Sequence, residues 1–177
     1  MRQIVVEGKK REVPDGMTYL ELAKEYQKDY LHDIVLVLEN GKMRELFRRV
    51  KNDSVVTFLT TGHTDGHKTY KRSATLLLLK AIFDVAGKEA VTGIKIHFSV
   101  SQGYYCTSKY LKPDAAFLDQ VQARMEELAA QSIPIRKKTI PVEEAIESFS
   151  RRGMKDKAKL YWYRRSSSVN TYDLDGI

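Results

Sequence analysis

The residues that could do chemistry in this chain are few and widely spaced. His63 and His67 are four apart, the spacing of a metal-binding pair on a helix, but no third ligand is near and Gly66 argues against a helix there. Cys106 has no acid–base partner close in sequence, so it is better explained as a small apolar residue. Segment 62–68 is therefore predicted to be a solvated linker.

The paired carboxylates and His97 are also better explained without a catalytic role. Glu126–Glu127 and Glu143–Glu144 fall in segments of helical spacing, which predicts exposed helix faces rather than acid–base pairs. His97 lies on the polar side of an alternating segment and is predicted to be a surface residue of a strand. No P-loop, dinucleotide-binding glycine motif or nucleophile elbow is present in the sequence.

Basic residues form the remaining candidate sites. They cluster at 136–138, at 151–152 and at 157–165, and the last cluster also contains Tyr161, Trp162 and Tyr163. Aromatic faces can stack on bases while cations hold phosphates. The favoured interpretation of the last cluster is instead an amphipathic strand whose alternate aromatics are core. The net charge of +7 favours anionic partners such as nucleic acid or nucleotides, although a mildly basic surface also serves solubility.

The first 61 residues are predicted to form a small β-rich module with one helix. Strands are predicted at 2–6, 11–13, 33–38, 44–50 and 54–59. Thr18 and Glu21 have the spacing of a capping box, which predicts a helix from there to about Asp29. Asn40–Gly41 is a strong hairpin signal between two of the strands.

A helix over 69–87 is predicted to be the spine of a second domain. Its apolar residues recur at helical spacing, with Thr69 as the N-cap and Gly87 as the stop. Lys80 and Asp84 break the run, and it is too short to span a bilayer, so no membrane partner is expected. After it, strands are predicted at 93–100, 104–107 and 135–140, helices at 114–131 and 141–152, and a strand plus loop at 154–177. The fold class expected is α+β.

The order of these elements, with several short matches, resembles the N-terminal region of threonyl-tRNA synthetase. Residues 1–61 resemble its ubiquitin-like β-grasp module, called TGS, through Val13–Gly16, Leu38–Gly41 and the strand Ser54–Leu59. Residues 69–177 resemble the editing-like domain that follows, which alanyl-tRNA synthetase shares. The pieces that carry this second match are Arg72–Leu78, Gly103–Tyr105, Met125–Leu128, Lys137–Lys138 and Glu144–Gly153. The resemblance implies a domain boundary at the 62–68 linker and a second domain cut short at its C-terminal end.

The chain departs from the synthetases where their editing site would be. In the family the central helix starts with His-x3-His, half of the site that hydrolyses mischarged tRNA, and the matching positions here are Arg72 and Leu76. Arginine and leucine cannot exchange protons near neutral pH as imidazole does. The family's Cys-x3-His is absent too, since Cys106 has no histidine at that spacing. Editing by the family's mechanism is therefore not expected, and no catalytic or metal-binding residue is assigned.

A second relative fits these losses better. Certain bacterial uridine-kinase-like proteins carry the same two modules ahead of a P-loop domain, and this chain resembles them in Arg72–Ser73 and Asn170–Asp173. The resemblance implies a non-catalytic accessory region of a nucleoside kinase, without a cofactor of its own. ATP and Mg²⁺ are expected only for the kinase domain, which would follow this fragment. A groove beside the central helix is predicted to bind a nucleotide or RNA. The residues assigned to it are Arg72, Ser73, Tyr104, Tyr105, Lys137 and Lys138.

Two other functions stay open on the sequence. One is a tRNA-editing hydrolase that uses His63, His67, His97 or Cys106 in a rearranged site, and the other is a structural module for docking or dimerisation. A homo-oligomer is left open. The single cysteine rules out an internal disulfide and fits a reducing compartment, so a cytoplasmic location is expected.

Overall fold

The computed structural model describes residues 1–101 and 103–177 and divides them into two compact units. The first unit is Met1–Ser73 and the second unit is Ala74–Ile177. The division falls inside a helix and not in a loop. The α+β class is confirmed, while the predicted domain identities at 1–61 and 69–177 stay predictions.

The first unit is a five-stranded sheet with one helix. Its elements are β1 (Arg2–Val6), β2 (Lys9–Val13), α1 (Tyr19–Tyr26) with a 3-10 turn at Gln27–Asp29, β3 (Ile34–Glu39), β4 (Lys42–Glu45) and β5 (Ser54–Thr60). The strand order is β2-β1-β5-β3-β4, in which the central pair β1 and β5 is parallel and the other pairs are antiparallel. The five strands and the helix occur in the predicted order, although β4 and α1 end earlier than predicted.

Local signals set the turns and the helix start of the first unit. Asn40 and Gly41 have φ of 50° and 76°, as a two-residue hairpin turn with left-handed residues requires. The amide of Glu21 donates to the Thr18 hydroxyl at 3.2 Å, and the amide of Thr18 donates to the Glu21 carboxylate at 2.7 Å. The predicted capping box is therefore confirmed.

The core of the first unit lies between α1 and one face of the sheet. Tyr19 and Leu22 of α1 are fully buried against apolar strand residues. The Tyr19 hydroxyl donates to the buried Glu39 carboxylate at 2.7 Å, and Arg44 donates to the same carboxylate at 2.8 Å. Burial raises the pKa of Glu39, but these hydrogen bonds and the charge of Lys51 outweigh it, so the pKa of Glu39 is lowered.

The strand predicted at 44–50 is shorter than expected. β4 ends at Glu45, because the next residues turn back to the start of α1. The carbonyls of Leu46 and Arg48 accept hydrogen bonds from the amides of Leu20 and Tyr19, at 2.7 and 2.9 Å. These amides belong to the first turn of α1, where backbone amides have no hydrogen-bond acceptor within the helix.

The central helix, α2 (Thr64–Thr92), begins earlier than predicted. Residues from Thr64 onward are helical, so the predicted linker at 62–68 and the predicted N-cap Thr69 are wrong. The His63 ring nitrogen Nδ1 accepts the amide of Asp65 at 3.2 Å, which satisfies one free amide of the first turn. Gly87, the predicted stop, has φ 82° and ψ 179°: it interrupts the helix, which resumes and ends at Thr92.

A close contact with β5 explains why the first turn of α2 contains a glycine, Gly66. A Cβ at this position would collide with the carbonyl group of Thr60 and would lie 3.1 Å from the Val35 side chain. The first turn of α2 therefore packs directly on the end of β5, which only a residue without a side chain allows. The glycine that predicted a loop is in fact required for a tightly packed helix.

The second unit continues from α2 through two strand pairs and three helices. Its elements are β6 (Ile94–Val100), β7 (Gly103–Ser108), α3 (Ala115–Ala130), β8 (Arg136–Pro141), α4 (Val142–Arg151), α5 (Lys155–Trp162) and β9 (Ser168–Asp173). β6 pairs with β7 and β8 with β9, both antiparallel. One core cluster joins α2 to α3, and a smaller one joins α4 to the β8–β9 pair.

A buried charge network ties the C-terminal turn to α2. The Lys80 ammonium, with 6% of its side chain exposed, lies 3.0 Å from the carboxylates of Asp84 and Asp175. Arg124 of α3 binds the other side of Asp84 at 2.9 Å. Burial lowers the pKa of Lys80, but the two aspartates outweigh it, so the pKa of Lys80 is raised.

The predicted structure of the C-terminal residues is wrong in one important respect. Residues 155–162 form helix α5 and not an amphipathic strand, and Trp162 and Tyr163 are 73% and 79% exposed rather than core. The tail does contain a strand, β9, but it lies after the aromatic segment for which a strand was predicted. Phe98 of β6 and Leu118 of α3 are also exposed, although both are large apolar residues.

Candidate functional site

Arg72 and Ser73 lie on α2, at the end of the first unit. Arg72 is exposed, and Leu76, four residues further along the helix, is half-buried. Four-residue spacing places two side chains on the same side of a helix. The Ser73 hydroxyl donates to the carbonyl of Thr69 at 3.2 Å, so its hydrogen is used within the helix. Of Arg72 and Ser73, only Arg72 presents a charged group to solvent.

Tyr104 and Tyr105 lie on β7, in the second unit, and both are exposed. The pairing of β6 with β7 is irregular between Ile96 and Ser99, which lets two successive β6 residues approach one β7 residue. The Tyr105 ring lies 5.5 Å from the rings of both His97 and Phe98. The hairpin therefore exposes a cluster of three rings that the sequence did not predict.

His97 and Cys106 do not form a nucleophile–base pair. The His97 ring lies against Tyr105, and successive strand residues point to opposite faces, so the Cys106 thiol lies on the other face of the hairpin. The His97 nitrogen Nε2 instead lies 2.7 Å from the Thr107 hydroxyl. The prediction that His97 is a surface residue is confirmed.

Lys137 and Lys138 are neighbours on β8, so their side chains point to opposite faces of the β8–β9 ribbon. The Lys137 ammonium lies 5.9 Å from the centre of the exposed Tyr172 ring, a cation–π contact. The carbonyl of Lys138 accepts the Thr171 hydroxyl at 3.4 Å. The assignment of both lysines to one ligand groove stays a prediction, and Lys137 with Tyr172 is the pair that the fold brings together.

The other candidate groups have structural explanations. Glu127 pairs with Arg124 at 2.8 Å, and Glu126 accepts a hydrogen bond from Gln122 at 3.0 Å, as expected of an exposed helix face.

Among residues 1–101 and 103–177, no group of three histidine, cysteine or carboxylate side chains is arranged to hold a metal ion. In the same residues, no helix has the length and apolarity to cross a membrane.

The sequence interpretation considered base stacking at 157–165 but favoured a core strand, and so did not identify one exposed helical face. Lys155, Lys159, Trp162 and Tyr163 follow the spacing i, i+4, i+7, i+8 along α5 and the residue after it, and all four are exposed. That spacing puts them on one face of a helix. The same segment also alternates, which favoured a strand, so the helical spacing was the signal that could have found this face.

Comparisons with known proteins show which proteins this chain is similar to in sequence. No family model matches the chain. Threonine–tRNA ligases are similar to it: that of Methylococcus capsulatus is 29% identical over 155 residues, which cover 87% of this chain and 24% of the relative. The ligase of Pelobacter propionicus is 26% identical over 94% of the chain, and that of Carboxydothermus hydrogenoformans 24% over 81%. The chain spans about a quarter of the length of the curated relatives it matches. These comparisons support a tRNA-synthetase-related region across most of the chain.

Proposed function

We propose that this chain is a binding region of the synthetase type that holds a nucleotide or an RNA end without hydrolysing it. The observation that carries the proposal is the pair Arg72 and Leu76 on the part of helix α2 that precedes Gly87. By the resemblance, these positions carry the editing histidines in the synthetases. A permanent cation in such a place attracts an anionic ligand, but neither side chain can move a proton at neutral pH.

The charge of the chain supports an anionic ligand. Its net charge is +7, and Arg72 adds an exposed guanidinium whose donors match a phosphate in a bidentate manner. In the second unit, the exposed Tyr105 ring and the Lys137–Tyr172 pair offer flat and cationic groups of the kind that bind bases and phosphates. The threonine–tRNA ligases make RNA the first ligand to test.

The wider protein is part of the same proposal. By the resemblance stated for Arg72–Ser73 and Asn170–Asp173, the region precedes a uridine kinase domain that uses ATP and Mg²⁺. The accessory region would then sense a nucleotide or an RNA and regulate or direct the kinase. Nothing in the described residues has to perform phosphoryl transfer for this role.

The test is a binding titration with a matched charge control. A fluorescent RNA hairpin shaped like a tRNA acceptor end, UTP and ATP are titrated against the chain, the Arg72→Ala variant and the Lys88→Ala variant. Lys88→Ala removes the same charge from an exposed position of the same helix. We expect at least one ligand to bind, Arg72→Ala to weaken it about tenfold, as loss of a charged hydrogen bond does, and Lys88→Ala to have little effect.

The same samples separate the competing functions. Mischarged tRNA incubated with the chain should lose its amino acid no faster than in buffer, and zinc should not change this rate. Faster loss would establish the hydrolase and overturn the proposal. Equal binding by Arg72→Ala and the unchanged chain would remove Arg72 from the site. No binding of any ligand, together with self-association, would favour the docking or dimerisation module.

A further inference from the structure

We propose that α5 presents a second surface, independent of Arg72, that binds an unpaired stretch of nucleic acid. The surface consists of Lys155, Lys159, Trp162 and Tyr163 and is called here the cationic aromatic face. It goes beyond the proposed function, because it names different residues and a different mode of binding: bases stack on the two rings while the two ammonium groups hold the phosphates.

Two large rings on this face lack cover. Trp162 and Tyr163 are 73% and 79% exposed. An exposed tryptophan beside an exposed tyrosine leaves a large apolar area in water, which is unfavourable unless a partner covers it. Every base offers a flat face to such rings, so stacking requires no particular sequence.

The cations lie among the rings instead of on a separate face. Lys155 and Lys159 share the i, i+4, i+7, i+8 spacing with the two aromatics. Helices that lie in a membrane surface place cations on one side and apolar residues on the other. An alternation of rings and ammonium groups on a single side is the arrangement that fits a strand of alternating bases and phosphates.

The surrounding charge also suits a polyanion. Residues 151–165 contain seven lysines or arginines and one acidic residue, Asp156. That acid is already paired with Lys95 of β6, at 3.2 Å. Within the residues that the structure describes, neither Lys155 nor Lys159 forms an ion pair, so both ammonium groups are available to phosphates.

The side of α5 that adjoins the cationic aromatic face is fixed to the rest of the second unit. Ala158 is buried, and the Tyr161 ring stacks on Phe149 of α4 with 5.5 Å between centres and 1° between planes. Lys157 lies over the Phe149 ring and Arg164 over the Tyr161 ring, both at 5.7 Å. This packing holds the helix in place, so the cationic aromatic face loses little conformational freedom when a ligand binds.

Trp162 is the only tryptophan of the chain, so its fluorescence reports on this face alone. An oligouridylate of about 12 nucleotides, within the site sizes of single-strand binding proteins, is titrated against the full chain. We expect quenching that saturates. Polyphosphate should bind without quenching, since it has no bases. A duplex of equal length should quench less, because its bases are already stacked.

Variants separate stacking from charge. Trp162→Ala, followed by anisotropy of a labelled oligouridylate, should weaken binding about fivefold or more, the usual effect of removing one stacking ring. Leu160→Ala is the control, since Leu160 is equally exposed but lies on the side of α5 opposite to Trp162. Lys155→Gln with Lys159→Gln should lower the slope of log affinity against log salt by about 1.4, near 0.7 for each phosphate that the chain no longer neutralises.

The outcomes decide the inference and keep it apart from the proposed function. Arg72→Ala should leave the Trp162 quenching unchanged, so loss of one site does not imply loss of the other. The inference is overturned if oligouridylate does not quench Trp162, or if Trp162→Ala binds it as tightly as Leu160→Ala does. It is also overturned if Trp162 emission shifts to the blue with vesicles of phosphatidylserine and phosphatidylcholine but does not respond to oligouridylate.

Discussion

Replacing Lys80 by methionine tests whether the ion pairs of this buried lysine hold the C-terminal turn to α2. Methionine keeps most of the apolar stem of lysine and removes the ammonium group. The change breaks the 3.0 Å pairs with Asp84 and Asp175 and the 3.0 Å hydrogen bond to the carbonyl of Asp175. Arg124 still binds Asp84, so that carboxylate keeps one partner after the substitution.

The size of the effect follows from the exposure of the two partners. Removal of one member of a fully buried pair costs about 3–5 kcal/mol, because the other charge is left without compensation. Here the Asp84 side chain is 17% exposed and keeps Arg124, which places the effect below that range. Asp175 is 59% exposed and is solvated by water, so its pair adds little. We expect the free energy of unfolding of the second unit to fall by about 2 kcal/mol.

Urea unfolding followed by circular dichroism measures the loss, and hydrogen exchange locates it. We expect faster exchange in residues 174–177, which the Lys80–Asp175 contacts hold. Lys95→Met is the matched control, since it breaks the exposed Lys95–Asp156 pair of the same unit and should cost almost nothing. Equal stability of Lys80→Met and the unchanged chain would refute the reasoning, and so would a Lys95→Met effect of the same size.

Three further predictions concern the first unit. Gly66→Ala should lower the free energy of unfolding by about 1–3 kcal/mol in urea, because the new Cβ meets the Thr60 carbonyl, whereas Gly62→Ala meets only the movable His32 ring and should cost less. Thr18→Ala should cost about 1 kcal/mol through loss of the capping box, and restored stability in Thr18→Ser would confirm the cause. Glu39 has a lowered pKa in the folded state, so its stabilising effect is complete above its ordinary pKa of about 4.3 and is lost as the pH falls through the folded value. The stability advantage of the unchanged chain over Glu39→Gln should therefore shrink below about pH 4.3, and an advantage that stays constant there would contradict this assignment.

The sequence predicted those parts of the fold that short-range signals determine. The Asn40–Gly41 turn and the Thr18–Glu21 capping box each depend on a few adjacent residues, and both are present in the structure. The end of β4 was mispredicted because residues 46–50 serve the first turn of α1, a partner that is distant in sequence. The start of α2 was mispredicted because the role of Gly66 depends on contact with β5.

The candidate site shows the same limit. Lys137 and Lys138 are adjacent in the sequence, but in a strand their side chains point to opposite faces of the ribbon. The segment at 155–163 fits both a strand and a helix by spacing, and only the packing of Tyr161 on Phe149 of α4 selects the helix. The Lys80 network depends on Asp175, which is so distant along the chain that no local pattern predicts the contact.

The central claim, binding without hydrolysis, is tested most directly by one experiment on mischarged tRNA. The tRNA carries a fluorophore for anisotropy and a labelled amino acid for the ester, and both are followed in the same sample as the chain is added. Saturable binding with an ester half-life equal to that in buffer is the predicted result, and Arg72→Ala should weaken the binding. Accelerated loss of the amino acid would contradict the account. So would no binding of this tRNA by a chain that also binds neither UTP nor ATP.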